Sequence, residues 1–288
     1  MSLETALDLI ESVRDYKILF VGDPITDEYH YVTPMGKSPK EYLIPVKYED
    51  KEVFAGGTVA ASKHLLSFCN RVVVRAPGNP VRKVRYVQRP EMKKLFEVNY
   101  DLGCKDNGFL EDGYDVVVVT DFGHERLTGE MIEKLCRMPY LAVNTQTNSS
   151  NIGFNLITKY RRADYMVIDE PEARLAAGDR RSPIQGVIEK LATGRCKKMI
   201  VTHGRHGAHG WEDGNYLHLP AFQHQTIDHM GAGDAFFSIT APMSKTGSLE
   251  DLLLIGNAAG ALKCSIVGHR EPVTKEHLIE FLKTHAAG

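Results

Sequence analysis

The chain has 288 residues and a nearly balanced charge, with 35 Lys and Arg residues against 37 Asp and Glu residues and a formal net charge of −2 at pH 7. That balance argues against a general binder of nucleic acids or membrane surfaces and favours a small polar ligand. The length accommodates one large α/β domain or two ordinary ones. The N-terminus lacks an apolar signal core and the chain has no run of 18 uncharged apolar residues, so we expect a cytoplasmic protein.

Short apolar runs recur along the chain with helical patterns between them. Such runs are typical of strands buried on both faces, so they predict a doubly wound, mostly parallel sheet with helices on both sides. Several runs end at polar or glycine-rich turns, and the carboxyl ends of the strands are where ligands bind in open α/β sheets. The predicted strands are residues 17–21, 72–74, 115–119, 140–143, 165–168 and 198–201.

Two stretches break this alternation because they mix β-branched or aromatic residues with charges. Residues 41–55 and 82–100 are predicted to form half-exposed antiparallel strands of a small projecting sheet, which would act as a lid or as a dimer surface. The alternative is that they are edge strands of the main sheet. The polar segment 144–153 is predicted to line the cleft.

A glycine-rich turn at residues 228–234 (DHMGAGD) precedes an apolar helical run. Small residues at a helix start leave backbone N–H groups uncovered, and these groups and the helix dipole attract anionic oxygens. Asp234 stands where it could take a proton from an attacking hydroxyl, a combination that suits phosphoryl transfer. The alternative is an ordinary turn in which Asp228 or Asp234 caps the helix.

Two motifs in this order resemble those of the ribokinase-like, or PfkB-type, carbohydrate kinases. Residues 228–234 match the late signature D-T-x-G-A-G-D, and residues 55–61 (AGGTVAA) resemble the early segment G-G-x-x-N-x-A. Together with residues 22–27 after the first strand, they imply a single ribokinase-like kinase domain over residues 1–288.

Within that family the chain looks most like the heptose-phosphate kinases, which phosphorylate the anomeric hydroxyl of D-glycero-D-manno-heptose 7-phosphate. The supporting residues are Asp23 and Asp27, the segment 38–46, and the basic strand 82–89. Only the sugar-kinase half of the bifunctional kinase and nucleotidyltransferase would be present.

The resemblance assigns roles at the transfer centre and the acceptor site. Asp234 matches the catalytic base, and the amides of Gly231, Ala232 and Gly233 match the anion hole. At the acceptor site, Asp27 and Asp23 would hold sugar hydroxyls, while Gly56 and Gly57 would let the backbone approach the sugar closely. From the residues alone, each of these acceptor positions also suits a tight turn.

On the nucleotide side, the resemblance implies ATP and Mg²⁺, with a monovalent cation left open. Glu172 and Asp169 would order Mg²⁺ through its water shell, although acids at a solvated helix start explain them as well. Thr202, Gly204 and Gly207 match a turn along the nucleotide. The helix beside the adenine would present Asn257 and Ala258, whose small size also suits close helix packing.

Four cations of the second projecting stretch could meet a substrate phosphate, because arginine forks match phosphate oxygens geometrically. The alternative is a solvated strand face. Arg85 is the preferred candidate, and the others are Arg82, Lys83 and Arg89.

The chain departs from the family pattern at several points. His229 and Met230 replace the hydroxyl residues next to the anion hole, Ala60 stands where the early motif has Asn, and Asp169 also replaces Asn. Residues 75–81 are a short link where relatives carry about 30 more residues, the size of a strand–helix–strand passage. These changes leave the phosphotransfer groups in place and alter the acceptor side.

The sequence therefore predicts an ATP-dependent kinase of a sugar or sugar phosphate, working as a homodimer through the lid strands. Two alternatives are a ribokinase-like kinase for another small acceptor, such as a nucleoside, and a binding module that has lost turnover. The histidines near residues 203–229 show no metal-ligand spacing and are interpreted as loop residues. The cysteines, an odd number without a C-x-x-C pair, are expected to be reduced thiols: Cys69, Cys104, Cys136, Cys196 and Cys264.

Overall fold

The computed structural model describes residues 3–101, 103, 112–148, 151–224 and 226–285. Cys104 and part of the predicted cleft loop 144–153 lie outside these residues. The strands are β1 (Lys17–Gly22), β2 (Pro24–Pro34), β3 (Val46–Gly56), β4 (Arg71–Arg75), β5 (Val81–Gln88), β6 (Lys93–Tyr100), β7 (Val116–Asp121), β8 (Leu141–Thr145), β9 (Tyr165–Asp169), β10 (Lys198–Thr202), β11 (Ala208–Glu212) and β12 (Asn215–Leu219). The helices are α1 (Leu3–Ser12), α2 (Gly57–Lys63), α3 (Gly129–Leu135), α4 (Glu170–Ala177), α5 (Ile184–Ala192), α6 (Ala232–Met243), α7 (Leu249–Cys264) and α8 (Lys275–His285).

The main sheet has the strand order β12-β11-β10-β9-β8-β7-β1-β4. Its strands from β10 to β4 are parallel, and β11 and β12 continue it as an antiparallel hairpin. The predicted doubly wound sheet is confirmed, because the apolar runs other than that of β4 become strands buried on both faces. The hairpin of β11 and β12 was not predicted, since its histidines and glycine interrupt any apolar run.

Helices cover both faces of this sheet and enclose two separate cores. On one face, α1, α6, α7 and α8 pack around Phe20, Phe237 and Leu253. On the other face, α3, α4 and α5 pack around Val119, Met166 and Val201. The carboxyl ends of β1, β7, β8, β9 and β10 therefore open between two rigid helical layers, and the polar residues that follow these strands are held in fixed positions.

The projecting sheet is present, with the strand order β3-β2-β5-β6. Prediction placed its first part at residues 41–55, but the strand begins at Val46 and residues 41–45 form an irregular approach. Its long strand β2 was missed as a lid element, because only Asp23 separates the end of β1 from the start of β2. Asp27 consequently lies on a lid strand and not at the carboxyl end of β1.

Strand β4 differs most from expectation. Its apolar run was predicted to be buried on both faces, yet Val73 and Val74 are 44% and 40% exposed at the edge of the sheet. The reason lies in the short link that follows, because residues 76–80 lead directly into β5 and leave no helix or strand outside β4. None of the helices in the described part of the chain is both long and apolar enough to cross a membrane.

Candidate active site

The glycine-rich turn forms the start of α6. Gly231 takes a left-handed conformation with φ of 77°, which glycine adopts without the steric cost of a side chain, and it is the residue from which the helix begins. Ala232 N–H makes only a long contact of 3.4 Å with the carbonyl of His229. Within the described residues, the N–H groups of Gly231 and Gly233 have no backbone acceptor outside the helix. The turn therefore presents several donors at the positive end of a helix dipole.

Asp234 lies in the first turn of α6 and is 9% exposed. Gln146, at the end of β8, donates an amide hydrogen bond to its carboxylate. Burial raises the pKa of Asp234, and His269, the Gln146 hydrogen bond and Lys263 oppose that rise. A carboxylate whose pKa lies above the ordinary value is a stronger base, so the site is suited to accept a proton.

A cleft of about 680 Å³ runs from this turn across the end of β10 to α7. Of the residues predicted for the nucleotide, Thr202, Gly204, Gly207 and Asn257 line it. Ala258 does not, because it lies one position further round α7 and packs into the core. The helix instead presents Asn257, Gly260, Ala261 and Cys264, which share one face at helical spacing.

Asp169 and Glu172 line the same cleft and cap the start of α4 together. Asp169 accepts from the backbone N–H of Glu172 at 2.8 Å, and Glu172 accepts from the backbone N–H of Asp169 at 3.0 Å and of Thr147 at 2.6 Å. Burial, followed by the charge of Asp169, raises the pKa of Glu172 to about 7. These two acids therefore both cap the start of α4 and line the cleft.

Their oxygen donors fit Mg²⁺ held through water. Each carboxylate keeps lone pairs beyond those engaged by backbone N–H groups, and Mg²⁺ normally retains several of its waters. No group of three or more His, Cys, Asp or Glu side chains in the described ranges is arranged as a closed metal site. Asp169 and Glu172 are therefore candidates for indirect contact.

On the lid side, Asp27 is 3% exposed and contacts Arg85 and His269. Arg85 of β5 forms an ion pair with one carboxylate oxygen, and His269 Nε2 lies 3.4 Å from the other. Burial alone would raise the pKa of Asp27, but the His269 hydrogen bond and the Arg85 charge outweigh burial and lower it. Arg85 also pairs with Glu97 at 2.7 Å. Asp27 is thus an ionised hydrogen-bond acceptor close to Asp234.

The two early glycines sit where side chains would not fit. A Cβ at Gly56 would collide with the Asp27 carboxylate, and one at Gly57 would stand 2.5 Å from the carbonyl of Asp23. Asp23 itself is fully buried and accepts from the backbone N–H groups of Phe122 at 2.7 Å and Arg126 at 3.3 Å. This differs from the predicted sugar contact, because its oxygens are occupied in holding loop 122–126.

Sequence reasoning missed Lys263 and His269. Lys263 is 1% exposed, and its Nζ donates to the carbonyls of Gly268 at 2.6 Å and Ile266 at 3.3 Å. Its Cε lies close to the glycine-rich turn, 3.2 Å from where a Cβ would stand at Gly231. A lysine inside the apolar pattern of α7 was the available signal. His269 belongs to no motif. His269 and Ala60 line the same small cavity. The chain therefore combines this histidine with an alanine at the position where the family's early motif has Asn.

The lid contacts the turn through another departure. Tyr29 of β2 donates a hydrogen bond to the sulfur of Met230 at 2.9 Å, and both side chains belong to the small core under the lid. Methionine at this position thus joins the lid to the glycine-rich turn.

Taken together, a helix start rich in donors, a buried carboxylate and an opposed lid form an arrangement that is chemically suited to phosphoryl transfer. Residues 149–276 match the sequence model of the pfkB family carbohydrate kinases.

Individual relatives agree with this assignment. The bifunctional protein HldE of Bradyrhizobium sp. is 21% identical over 97% of this chain, which spans 66% of that relative's length. Ribokinase from Thermotoga maritima superposes with a TM-score of 0.72 at 16% identity, covering 93% of this chain and 99% of the ribokinase. Ribokinase of Arabidopsis thaliana, solved with ribose and ATP, gives 0.68 at 14% identity, with coverages of 93% and 99%. The predicted ribokinase-like fold is confirmed.

Proposed function

We propose that this chain transfers the γ-phosphoryl group of ATP to a hydroxyl of a sugar or sugar phosphate. The observation that carries the proposal is the position of Asp234, a buried carboxylate beside the donors of Gly231–Gly233 and open to a nucleotide-sized cleft. The preferred acceptor is a heptose 7-phosphate-like sugar that reacts at its anomeric hydroxyl. Support comes from the sequence motifs that resemble those of the heptose-phosphate kinases and from the likeness to the relative named bifunctional protein HldE.

The residues act in a simple order. Asp27 accepts hydrogen bonds from acceptor hydroxyls and orients the sugar. Asp234 takes the proton of the reacting hydroxyl, whose oxygen forms a bond to the γ-phosphorus as the bond to the ADP oxygen breaks. The N–H groups of the turn and the dipole of α6 stabilise negative charge on the transferred group. Mg²⁺, held through water by Glu172 and Asp169, would neutralise charge on the ATP phosphates when bound.

A panel of acceptors tests this proposal directly. ADP release is measured with heptose, hexose and pentose phosphates, their unphosphorylated sugars, and nucleosides. Turnover with a sugar or sugar phosphate supports the proposal. Turnover with nucleosides alone would select the nucleoside-kinase alternative, and ligand binding without ADP release from any acceptor would select the binding module.

Lys263 is expected to support the rate through its charge. Its ammonium lies behind Gly231 and faces Asp228 and Asp234, so Lys263→Met removes a positive charge next to the transferring phosphoryl group. We expect kcat to fall about 100-fold, as for loss of one oxyanion donor. Steady-state kinetics measure it, with the exposed Lys245→Met as control. An unchanged kcat in a folded variant would contradict this role.

Glu172 should make the use of Mg²⁺ depend on pH. Because its pKa is raised to about 7, the carboxylate becomes protonated and neutral as the pH falls from 8 to 6. The Mg²⁺ concentration that gives half-maximal rate should therefore rise as the pH is lowered through about 7. Glu172→Gln should need more Mg²⁺ at every pH and lose most of this dependence. A parallel pH dependence in both proteins would contradict the assignment.

The outer face of the lid would carry a second copy of the chain. A row of aromatic rings crosses all four strands there, with centroid separations of 4.4–6.1 Å, and Tyr48 and Phe96 are 55% and 50% exposed. We expect sedimentation to show a dimer that Phe96→Glu converts to a monomer. Phe154→Glu, at an exposed position of the main domain, should leave the mass unchanged. A monomeric parent protein would exclude this interface.

A further inference from the structure

Lys83 is a buried ammonium group that makes no hydrogen bond or ion pair in the described part of the chain, although the charges of Asp27, Glu97 and Asp23 attract it from beyond ion-pair distance. It lies on β5 opposite Asp27 in the strand register, so both side chains project from the inner face of the lid. Lys83 is only 7% exposed, and within the described residues its Nζ has no hydrogen-bond acceptor and no carboxylate within ion-pair distance. Burying an unpaired charge is unfavourable, so an unpartnered lysine at such a place calls for a counter-ion.

The other three cations of this strand region are already engaged. Arg82 reaches Glu28 at 3.4 Å on the outer face, and Arg85 is held between Asp27 and Glu97. Arg89 covers the ring of Tyr31 at the rim. Arg85, which is expected to meet a substrate phosphate, is therefore held by two carboxylates, whereas Lys83 makes no ion pair or hydrogen bond among the described residues.

A second buried group without a hydrogen-bond partner lies near Lys83. His124, in the loop held by Asp23, is 5% exposed, and its Nε2 is buried with no hydrogen-bond partner among the described residues. Its Nδ1 is 3.8 Å from Asp101, beyond hydrogen-bonding distance. Burial, followed by the nearby charge of Lys83, lowers the pKa of His124 to about 4, so the ring is neutral and carries one N–H.

The side chain of Arg126, in the same loop as His124, makes its hydrogen bonds elsewhere. Among the described residues, the side chain of Arg126 donates hydrogen bonds to Asn79, His124 and Asp101. They fix the loop and the orientation of the His124 backbone. Lys83 and His124 therefore stand on two different elements, a lid strand and a main-sheet loop, and each offers an unused buried nitrogen.

We propose that Lys83 Nζ and His124 Nε2 hold an anionic group of the acceptor, a phosphate ester or a carboxylate remote from the reacting hydroxyl. The inference rests on the proposed kinase function and gives the acceptor its chemical class. An oxyanion accepts from an ammonium and an imidazole N–H at once, and such charge-assisted bonds are the stronger ones. Asp27, next to Lys83 on the lid, would hold hydroxyls of the same molecule. The inner face of the lid would thus bind both the anionic group and the sugar.

Kinetics with matched acceptors test the site. For a sugar phosphate, Lys83→Met and His124→Phe are expected to lower kcat/KM about 100-fold and 10-fold, mainly through KM, while kcat/KM for the same sugar without its phosphate changes less than threefold. A parallel arm with sugar acids decides between phosphate and carboxylate. Lys93→Met, an exposed lysine of the same sheet, is the matched control.

Two further measurements separate this inference from the kinase proposal. Inorganic phosphate is titrated calorimetrically with the nucleotide cleft filled by a non-hydrolysable ATP analogue; binding lost in Lys83→Met and kept in Lys93→Met supports the site even if no acceptor turns over. The melting temperature of Lys83→Met should stay equal or rise, since a merely structural lysine would lower it. Equal losses with phosphorylated and neutral sugars, or unchanged phosphate binding, would overturn the inference and leave the kinase proposal standing.

Discussion

The variant Asp234→Asn is expected to lower kcat about 10³- to 10⁴-fold, the range that a positioned general base contributes. Asparagine keeps the shape and the contact with Gln146, but it cannot take a proton from the acceptor hydroxyl. Because the backbone donors of the turn remain, the affinity for ATP should change less than a few fold. The loss should therefore appear in kcat with each acceptor and not in the KM for ATP.

Steady-state kinetics and ATP-analogue binding together check this expectation. Asp213→Asn is a suitable control, because Asp213 lies in the exposed turn between β11 and β12 with φ of 47°, a conformation that Asp and Asn both tolerate. Activity of Asp234→Asn within tenfold of the parent protein would remove Asp234 from the role of base, and with it the central argument for phosphoryl transfer.

The variant Gly56→Ala should raise the KM for the acceptor about 100-fold. The backbone at Gly56 has φ of −108° and accommodates alanine, so the effect arises from space alone. The added Cβ would collide with the Asp27 carboxylate and stand 3.0 Å from its Cγ. Asp27 cannot turn away without losing Arg85 or His269, and overpacking of this kind typically costs about 1–3 kcal/mol.

The KM for the acceptor and the KM for ATP should be measured separately, because only the KM for the acceptor is expected to change greatly. Gly186→Ala provides the comparison: this glycine lies in α5 with open space around it, and alanine there should stabilise the protein by about 0.5–1 kcal/mol without affecting either KM. An unchanged acceptor KM in Gly56→Ala would show that Asp27 does not contact the acceptor.

The main sheet and the glycine-rich helix start were predictable because each rests on local pattern. Uniform apolar runs specify strands buried on both faces, and glycines before an apolar helix specify an uncovered helix start. The cleft residues Thr202, Gly204, Gly207 and Asn257 followed from motifs whose backbone conformation is local. The prediction that Ala258 lines the cleft was wrong because a helix turns about 100° per residue. Two residues that are adjacent in a helical motif therefore face different directions.

The acceptor side was less predictable because its contacts join distant segments. Asp27 and Arg85 meet across β2 and β5, and His269 reaches them from the segment after α7. No spacing in the sequence encodes such a meeting. Asp23 is a second example of a contact between distant segments. Its position matched a sugar contact of the family, but its oxygens accept hydrogen bonds from a loop about 100 residues further along the chain.

The exposed edge strand β4 has a consequence for how copies of the chain meet. An uncovered strand of three valines invites pairing with another strand, and a second β4 would be the simplest partner. In an antiparallel pair centred on Val73, Arg71 of each copy would stand opposite Arg75 of the other, and like charges directly opposite are unfavourable. The two arginines thus disfavour pairing between β4 strands, which leaves the aromatic row of the lid as the surface that we propose for association.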